Sequence, residues 1–323
     1  MKVLITGITG MVGSHLADYI LANQPGVEIL GLIRWRSPLD NIQHIHEKIS
    51  LHQADLRDLN SLIVLLDKVK PDWIFHLAAQ SYVTVSFNAP ADTLHTNIIG
   101  TTNLLDALRI LKLDPKIHIC SSSEVYGQVT KEEIPIKETN PFRPTSPYAV
   151  SKVGEDMIAL QYFLSYNLKT VRTRMFTHTG ARRGDVFAES AFAKQIAEIE
   201  AGVRSNPIKV GNLDSVRTFA DVRDAVRAYW LLLEKCPPGE VYNIGGNRTM
   251  TVGEMLDILK GMAKCRIEHE VDPALLRPSD VTLQIPDTSK FRKATGWEPE
   301  IPLDVTLRDL LDYHRYRVQK DRL

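Results

Sequence analysis

Through its first half the chain alternates short, continuously apolar runs with longer stretches whose apolar residues recur every three or four positions. The short runs, at 3–6, 28–33, 50–53, 73–78 and 117–121, predict strands; the longer ones, at 14–22, 59–68, 97–111 and 148–166, predict helices. Strands that are apolar throughout, not at alternate positions, have to be covered on both faces. Separated by helices, they predict an α/β fold with a doubly wound parallel sheet. Residues 169–175 read as the next strand and 241–244 as a later one returning to the sheet. Beyond Phe176 the pattern loosens into loops rich in Arg, Gly and Pro, with short helices at 192–201 and 252–262. The expectation is a sheet domain of residues 1–175 plus about 211–244, interleaved with a smaller C-terminal substrate lobe of 176–210 plus 245–323.

Composition sets outer bounds. With 323 residues, 44% of them hydrophobic, the chain exceeds the size at which single cores split, in keeping with two lobes. Its 39 basic and 39 acidic residues cancel and form no basic run, which argues against nucleic acid or an anionic membrane as partner. Cys120, Cys236 and Cys265 are odd in number and widely spaced, so they read as reduced thiols of a cytoplasmic protein and predict no metal. No apolar run reaches membrane-spanning length, and Met1-Lys2 leads straight into a strand; a soluble protein is expected.

Residues 6–13 read Thr-Gly-Ile-Thr-Gly-Met-Val-Gly, after the first strand and opening the first helix. Gly7, Gly10 and Gly13 permit a tight turn, close approach of backbone to a pyrophosphate, and close packing of helix on strand. The helix N-terminus then faces the phosphate charge. Thr9, Met11 and Val12 complete the turn. A glycine-rich turn needs no ligand, but its place between strand and helix favours a dinucleotide in a Rossmann-type domain. Where an acidic residue would hold a ribose 2′-hydroxyl, the second strand ends in Arg34, Trp35, Arg36 and Ser37. Two guanidiniums and a hydroxyl suit a 2′-phosphate, so NADP is the expected cofactor; the plainer alternative is a solvated basic loop. Asp55 and Leu56 are placed to meet the adenine, although Asp55 also suits a helix cap. Leu77, Ala78 and Ala79 offer small residues to the dinucleotide.

Tyr148 and Lys152 are four residues apart, hence stacked on one helix face. A neighbouring ammonium lowers a phenol from about 10 toward neutrality, which would make Tyr148 a general acid or base. Ser122 is available to hydrogen-bond the same substrate oxygen. Glu124 adds a carboxylate that simple hydride transfer at an alcohol does not require; the plainer alternative is a cap or an ion pair.

Gly7-x-x-Gly10-x-x-Gly13, His76-Leu-Ala-Ala-Gln80 and Tyr148-x-x-x-Lys152 together resemble the extended short-chain dehydrogenase/reductase superfamily. Residues 78–87, 122–124, 143–150, 182–185 and 277–280 look like the GDP-mannose 4,6-dehydratase group. Residues 210–213 and 221–224 are similar both to that group and to the neighbouring GDP-4-keto-6-deoxymannose reductases.

The resemblance implies that Ser122 polarises sugar O4, that Ser123 stands where some dehydratases have an aspartic acid, and that Glu124 is the base at C5. Tyr148 would deprotonate O4 while Lys152 holds the nicotinamide ribose. His178 and Arg183 would lie near cofactor and substrate, and Arg217 and Arg277 on the substrate diphosphate. Ser81, Val83, Ser86, Thr177, Lys194, Val210 and Asn212 would complete the contacts to a GDP-hexose. The sequence departs from the group at Thr177, usually Asn, at Thr218, commonly Asp, and at Met11-Val12, usually a polar pair.

The implied activity is NADP-dependent oxidation at C4, loss of water across C5–C6 and hydride return to C6. The alternatives are the 4-keto reductase, a nucleotide-sugar 4-epimerase and a catalytically silent NADP sensor. The helices at 97–111 and 148–166 each bury one face in the core; in relatives they also form a homodimer bundle, and the 34–37 loop a tetramer.

Overall fold

The computed structural model describes residues 1–320. The first six strands are β1 (Lys2–Thr6), β2 (Glu28–Ile33), β3 (Ser50–Gln53), β4 (Trp73–His76), β5 (Lys116–Ser122) and β6 (Lys169–Met175). With strand Val241–Ile244 they form one parallel seven-stranded sheet, in the order Val241–Ile244, β6, β5, β4, β1, β2, β3. Strand order reverses between β1 and β4, and a crevice opens there at the carboxyl ends of the strands.

Both faces of the sheet are covered, as continuous apolar strands require. One face packs helices Met11–Asn23 and Val222–Lys235, through Leu16, Ile20, Tyr229 and Trp230 against Val3, Ile5 and Phe75. The other packs helices Leu59–Val69, Gly100–Ile110 and Pro147–Tyr166, through Leu62, Leu66, Leu104, Leu108 and Ala159.

Several element boundaries differ from the sequence expectation; the helix expected at 192–201 spans Ala188–Glu200. The first helix starts at Met11, not at residue 14. The fourth strand ends at His76 because the Thr6 hydroxyl accepts the N–H groups of Leu77 and Ala78, each at 3.1 Å, and takes them out of the ladder. The helix expected at 97–111 begins as a π-helical turn, His95–Ile99, which continues as Gly100–Ile110.

The smaller lobe has its own core of Phe192, Ile196, Ile208, Val210, Met255, Leu256, Leu307 and Leu311. Strand Val216–Asp221 pairs antiparallel with Arg248–Thr251 and parallel with Leu283–Gln284, not with the large sheet. The chain enters this lobe after Phe176, returns to the sheet with helix Val222–Lys235, and leaves it again after Ile244. Among the described residues no helix is long and apolar enough to cross a membrane.

Candidate active site

A cleft of about 1120 Å³ runs along the carboxyl ends of β1, β4 and β5 and between the sheet and the smaller lobe. Its floor at the sheet end is the glycine turn. Gly7 has φ +71°, and a Cβ there would stand 2.9 Å from the Ala78 backbone; a Cβ on Gly13 would stand 2.3 Å from the Gly7 carbonyl. Only glycine lets these three pieces of backbone close up. Thr9, Gly10, Met11 and Val12 share the wall, as do Leu77, Ala78 and Ala79.

The second-strand loop divides. Arg34 and Ser37 line the cleft and hold each other, the Arg34 N–H donating to Ser37 Oγ at 2.9 Å. Arg36 does not line it: its guanidinium stacks on exposed Trp35, 4.4 Å from the ring centroid. Asn41, which the sequence reading missed, ties this region to the glycine turn by donating to Thr9 O at 2.9 Å. Asp55 and Leu56 line the cleft, with Asp55 paired to Arg57 at 3.0 Å, which holds its carboxyl below the usual range.

His178 is neutral, burial driving it down to about 4. Its Nδ1 donates to Phe176 O at 3.1 Å, so its buried, unpartnered Nε2 is a bare acceptor facing the cleft. Lys152 Nζ donates to Cys120 O at 2.9 Å and to Glu155 at 2.8 Å, leaving a third N–H. A glycine cradle, a bare imidazole acceptor and an unspent ammonium donor fit a dinucleotide laid from Gly7 to Lys152.

The candidate reacting groups sit where β5 ends. Ser122 Oγ accepts the Glu124 N–H at 3.2 Å and caps the short 3₁₀ turn Ser123–Tyr126. Tyr148 and Lys152, on the adjoining helix, are both buried. On sequence, Lys152 should draw the Tyr148 phenol down toward neutrality; in the structure the phenol lies above its ordinary value. Burial outweighs the Lys152 charge and the Ser122 hydrogen bond, and Glu155 adds an opposing charge. Glu155 was missed, although its place three residues after Lys152 was visible.

Glu124 is held from the smaller lobe. Gln284 donates to its Oε1 at 3.3 Å while accepting from Ser123 Oγ at 3.2 Å. Burial pushes the Glu124 carboxyl up, against the pull of Arg217 and Arg277. These two arginines converge on Asp280, at 3.7 and 3.8 Å, which also accepts from Asn212 at 2.8 Å. Arg183 packs 3.6 Å over the Phe187 ring and pairs with buried Glu189 at 3.4 Å. Gln284 and Glu189 are further cleft residues that no local sequence signal marked.

Ser81, Val83 and Thr177 line the same cleft. Three expected substrate residues lie off it. Ser86 is fully buried and donates to Val83 O at 2.6 Å. Val210 points into the lobe core, between cleft-lining Lys209 and Gly211, as strand alternation dictates. Lys194 pairs with Asp185 on the outer side of its helix. No group of three or more His, Cys, Asp or Glu capable of holding a metal ion occurs among the described residues.

A sheet of this order with a tyrosine–lysine helix beside a glycine turn defines the short-chain dehydrogenase/reductase type of protein. Within it, the chain belongs to the GDP-mannose 4,6 dehydratase family, whose profile matches residues 4–310. It is 34% identical to GDP-mannose 4,6-dehydratase of Yersinia enterocolitica over 343 residues, 94% of this chain and 91% of that one. It is 32% identical to GDP-6-deoxy-D-mannose reductase of Pseudomonas aeruginosa over 320 residues, 99% of both. The structure of RMD from Pseudomonas aeruginosa complexed with NADPH superposes with a TM-score of 0.85 at 32% identity, covering 98% of this chain and 99% of that one.

Proposed function

We propose that the chain is a GDP-mannose 4,6-dehydratase that works with NADP. The observation that carries this reading is Glu124. It is a half-buried carboxylate in the cleft of Ser122, Tyr148 and Lys152, a base that alcohol oxidation alone does not need. NADP, when bound by the glycine turn, Arg34, His178 and Lys152, supplies a hydride acceptor toward C4 and later a donor toward C6.

Tyr148 takes the O4 proton, with Ser122 hydrogen-bonding the same oxygen. The ketone so formed acidifies C5–H, which Glu124 removes as O6 leaves with a proton as water. Two electrons leave C4 and two return to C6 as C5 takes back a proton, so the net change is loss of one water. Arg217 and Arg277 hold the diphosphate, a match of paired guanidiniums to phosphate oxygens. The apolar side chains Ile99, Ile110, Val150, Met157 and Leu164, exposed on the helices around Gly100–Ile110 and Pro147–Tyr166, support a homodimer built on these helices.

A second reading, GDP-6-deoxy-D-mannose formation from the 4-keto sugar, is favoured by the near-complete overlap with the Pseudomonas reductase. Here Tyr148 donates its proton to O4 instead. Purified protein with GDP-mannose and catalytic NADP separates the two. Loss of water from the sugar with no net NADPH supports dehydration; turnover only of a supplied 4-keto sugar, with stoichiometric NADPH consumption, overturns it.

A further inference from the structure

Glu155 is a buried ionisable group beside the reacting residues for which the proposed chemistry has no use. Tyr148, Lys152 and Glu155 follow one another at four and three residues along helix Pro147–Tyr166, so they make one stripe on one face. Glu155 is 1% exposed and accepts from Lys152 Nζ at 2.8 Å through Oε2; its Oε1 is buried without a hydrogen-bond partner. A structural carboxylate is ordinarily satisfied at both oxygens. The neighbouring Asp156 is: Arg172 and Arg174 each reach it at 2.8 Å.

The surroundings leave Lys152 as the one cation that answers Glu155. From its own helix Tyr148, Lys152 and Asp156 face it, and Asp156 is bound by the two arginines of β6. From β5 Cys120 faces it as well; His118 of β5 and His76 of β4 face Lys152, and Tyr229 of helix Val222–Lys235 lies 3.5 Å from Cys120 Sγ. Burial keeps both histidines uncharged, Cys120 a thiol and Tyr229 a phenol.

We propose that Glu155 is a positioning residue that holds back the Lys152 charge from Tyr148 and so sets the pH range in which Tyr148 exchanges its proton. Glu155 draws the ammonium along the helix, away from the Tyr148 ring, whose centroid is 5.9 Å from Nζ. Glu155 neutralises part of that charge in a site where water cannot screen it. Removing the carboxylate charge while keeping the hydrogen bond therefore makes Tyr148 the stronger acid.

The inference rests on Tyr148 as the proton-exchanging group, and its test reads Tyr148 directly. The phenolate absorbance of wild type and of Glu155→Gln is titrated with and without NADP, each minus its Tyr148→Phe counterpart. In Glu155→Gln the Tyr148 titration should move about one unit to lower pH, a tenfold gain in phenolate at fixed pH. The alkaline requirement of sugar oxidation should move with it. An unmoved phenolate titration in folded Glu155→Gln overturns the proposal. If the phenolate moves and the rate profile does not, Glu155 tunes Tyr148 but Tyr148 is not the base, and the functional reading fails instead. Should Glu155→Gln not fold, Glu155→Asp, which retracts the charge by one methylene, should give a smaller shift in the same direction; no shift overturns the proposal.

Discussion

The carboxamide of Asn97 is hydrogen-bonded to both backbone groups of Gln80, accepting from its N–H at 2.8 Å and donating to its carbonyl at 2.9 Å. Its second amide hydrogen goes to Ser151 Oγ at 2.8 Å, and Ser151 donates to Tyr148 O at 2.7 Å. One buried side chain thus fastens the loop after β4 to helix Pro147–Tyr166. Asn97→Ala leaves one buried and two half-buried partners unanswered, a loss of about 2–4 kcal/mol at roughly 1 kcal/mol each. A urea midpoint lowered to match, with KM for the sugar nucleotide rising more than kcat falls, is the expected result; unchanged stability would contradict it.

Glu124→Gln removes the proposed C5 base and leaves Ser122, Tyr148 and Lys152 in place. Loss of water is expected to stop, while bound NADP is partly reduced on adding GDP-mannose, seen as nicotinamide absorbance in a single turnover. Dehydration at the parent rate would remove Glu124 from the chemistry.

The same carboxyl sets an acid limit. Because burial raises it above its ordinary value of 4.5, its ionised, active form is lost as pH falls through a value higher than 4.5. For stability the sign is opposite, since a raised carboxyl favours the fold when protonated and that contribution fades as pH rises. The acid limb of the dehydration rate should therefore lie above pH 4.5 and vanish in the residual partial reaction of Glu124→Gln.

Arg34 faces the cleft and Arg36 stacks on Trp35, so the two should not contribute equally to a 2′-phosphate. Arg34→Ala is expected to cut the preference for NADP over NAD about tenfold, the worth of one charged hydrogen bond. Arg36→Ala should cost less than about threefold on the same scale. Paired Kd measurements for the two dinucleotides check both; equal effects would show that Arg36 turns inward on binding.

Asp156 is fully buried between Arg172 and Arg174. Asp156→Asn leaves two guanidiniums without their anion and is expected to destabilise the fold by about 3–5 kcal/mol in urea unfolding. A change below about 1 kcal/mol would mean that Glu138 O, Gly239 O and Tyr126, the other partners of the arginines, suffice.

The sheet was legible because its strands are apolar throughout, a pattern that only double coverage explains. Tyr148 and Lys152 were legible because helical spacing is local. Gln284 was not, because it meets Glu124 from 160 residues away through a two-residue strand that carries no periodicity. Arg36 and Ser86 carry the right chemistry but the wrong orientation, which residue type alone does not encode. Val210 was within reach: in a strand where Lys209 faces the cleft, its neighbour has to face the core. The direction of the Tyr148 shift needed the burial of the phenol, with Glu155 adding to it, and neither is visible until the helix face is seen to be buried.

The chain passes between the large sheet and the smaller lobe after Phe176, at Val222, after Ile244, before Phe291 and again at Leu303. No single cut in the gene separates one core from the other. A chimera made by one crossover near Phe176 would keep the smaller lobe's core whole but still join two mismatched parts of the sheet core, which runs from Val3 to Trp297. New sugar preferences in such a chain have to be introduced side chain by side chain along the cleft, at positions such as Gln195, Arg204 and Lys209.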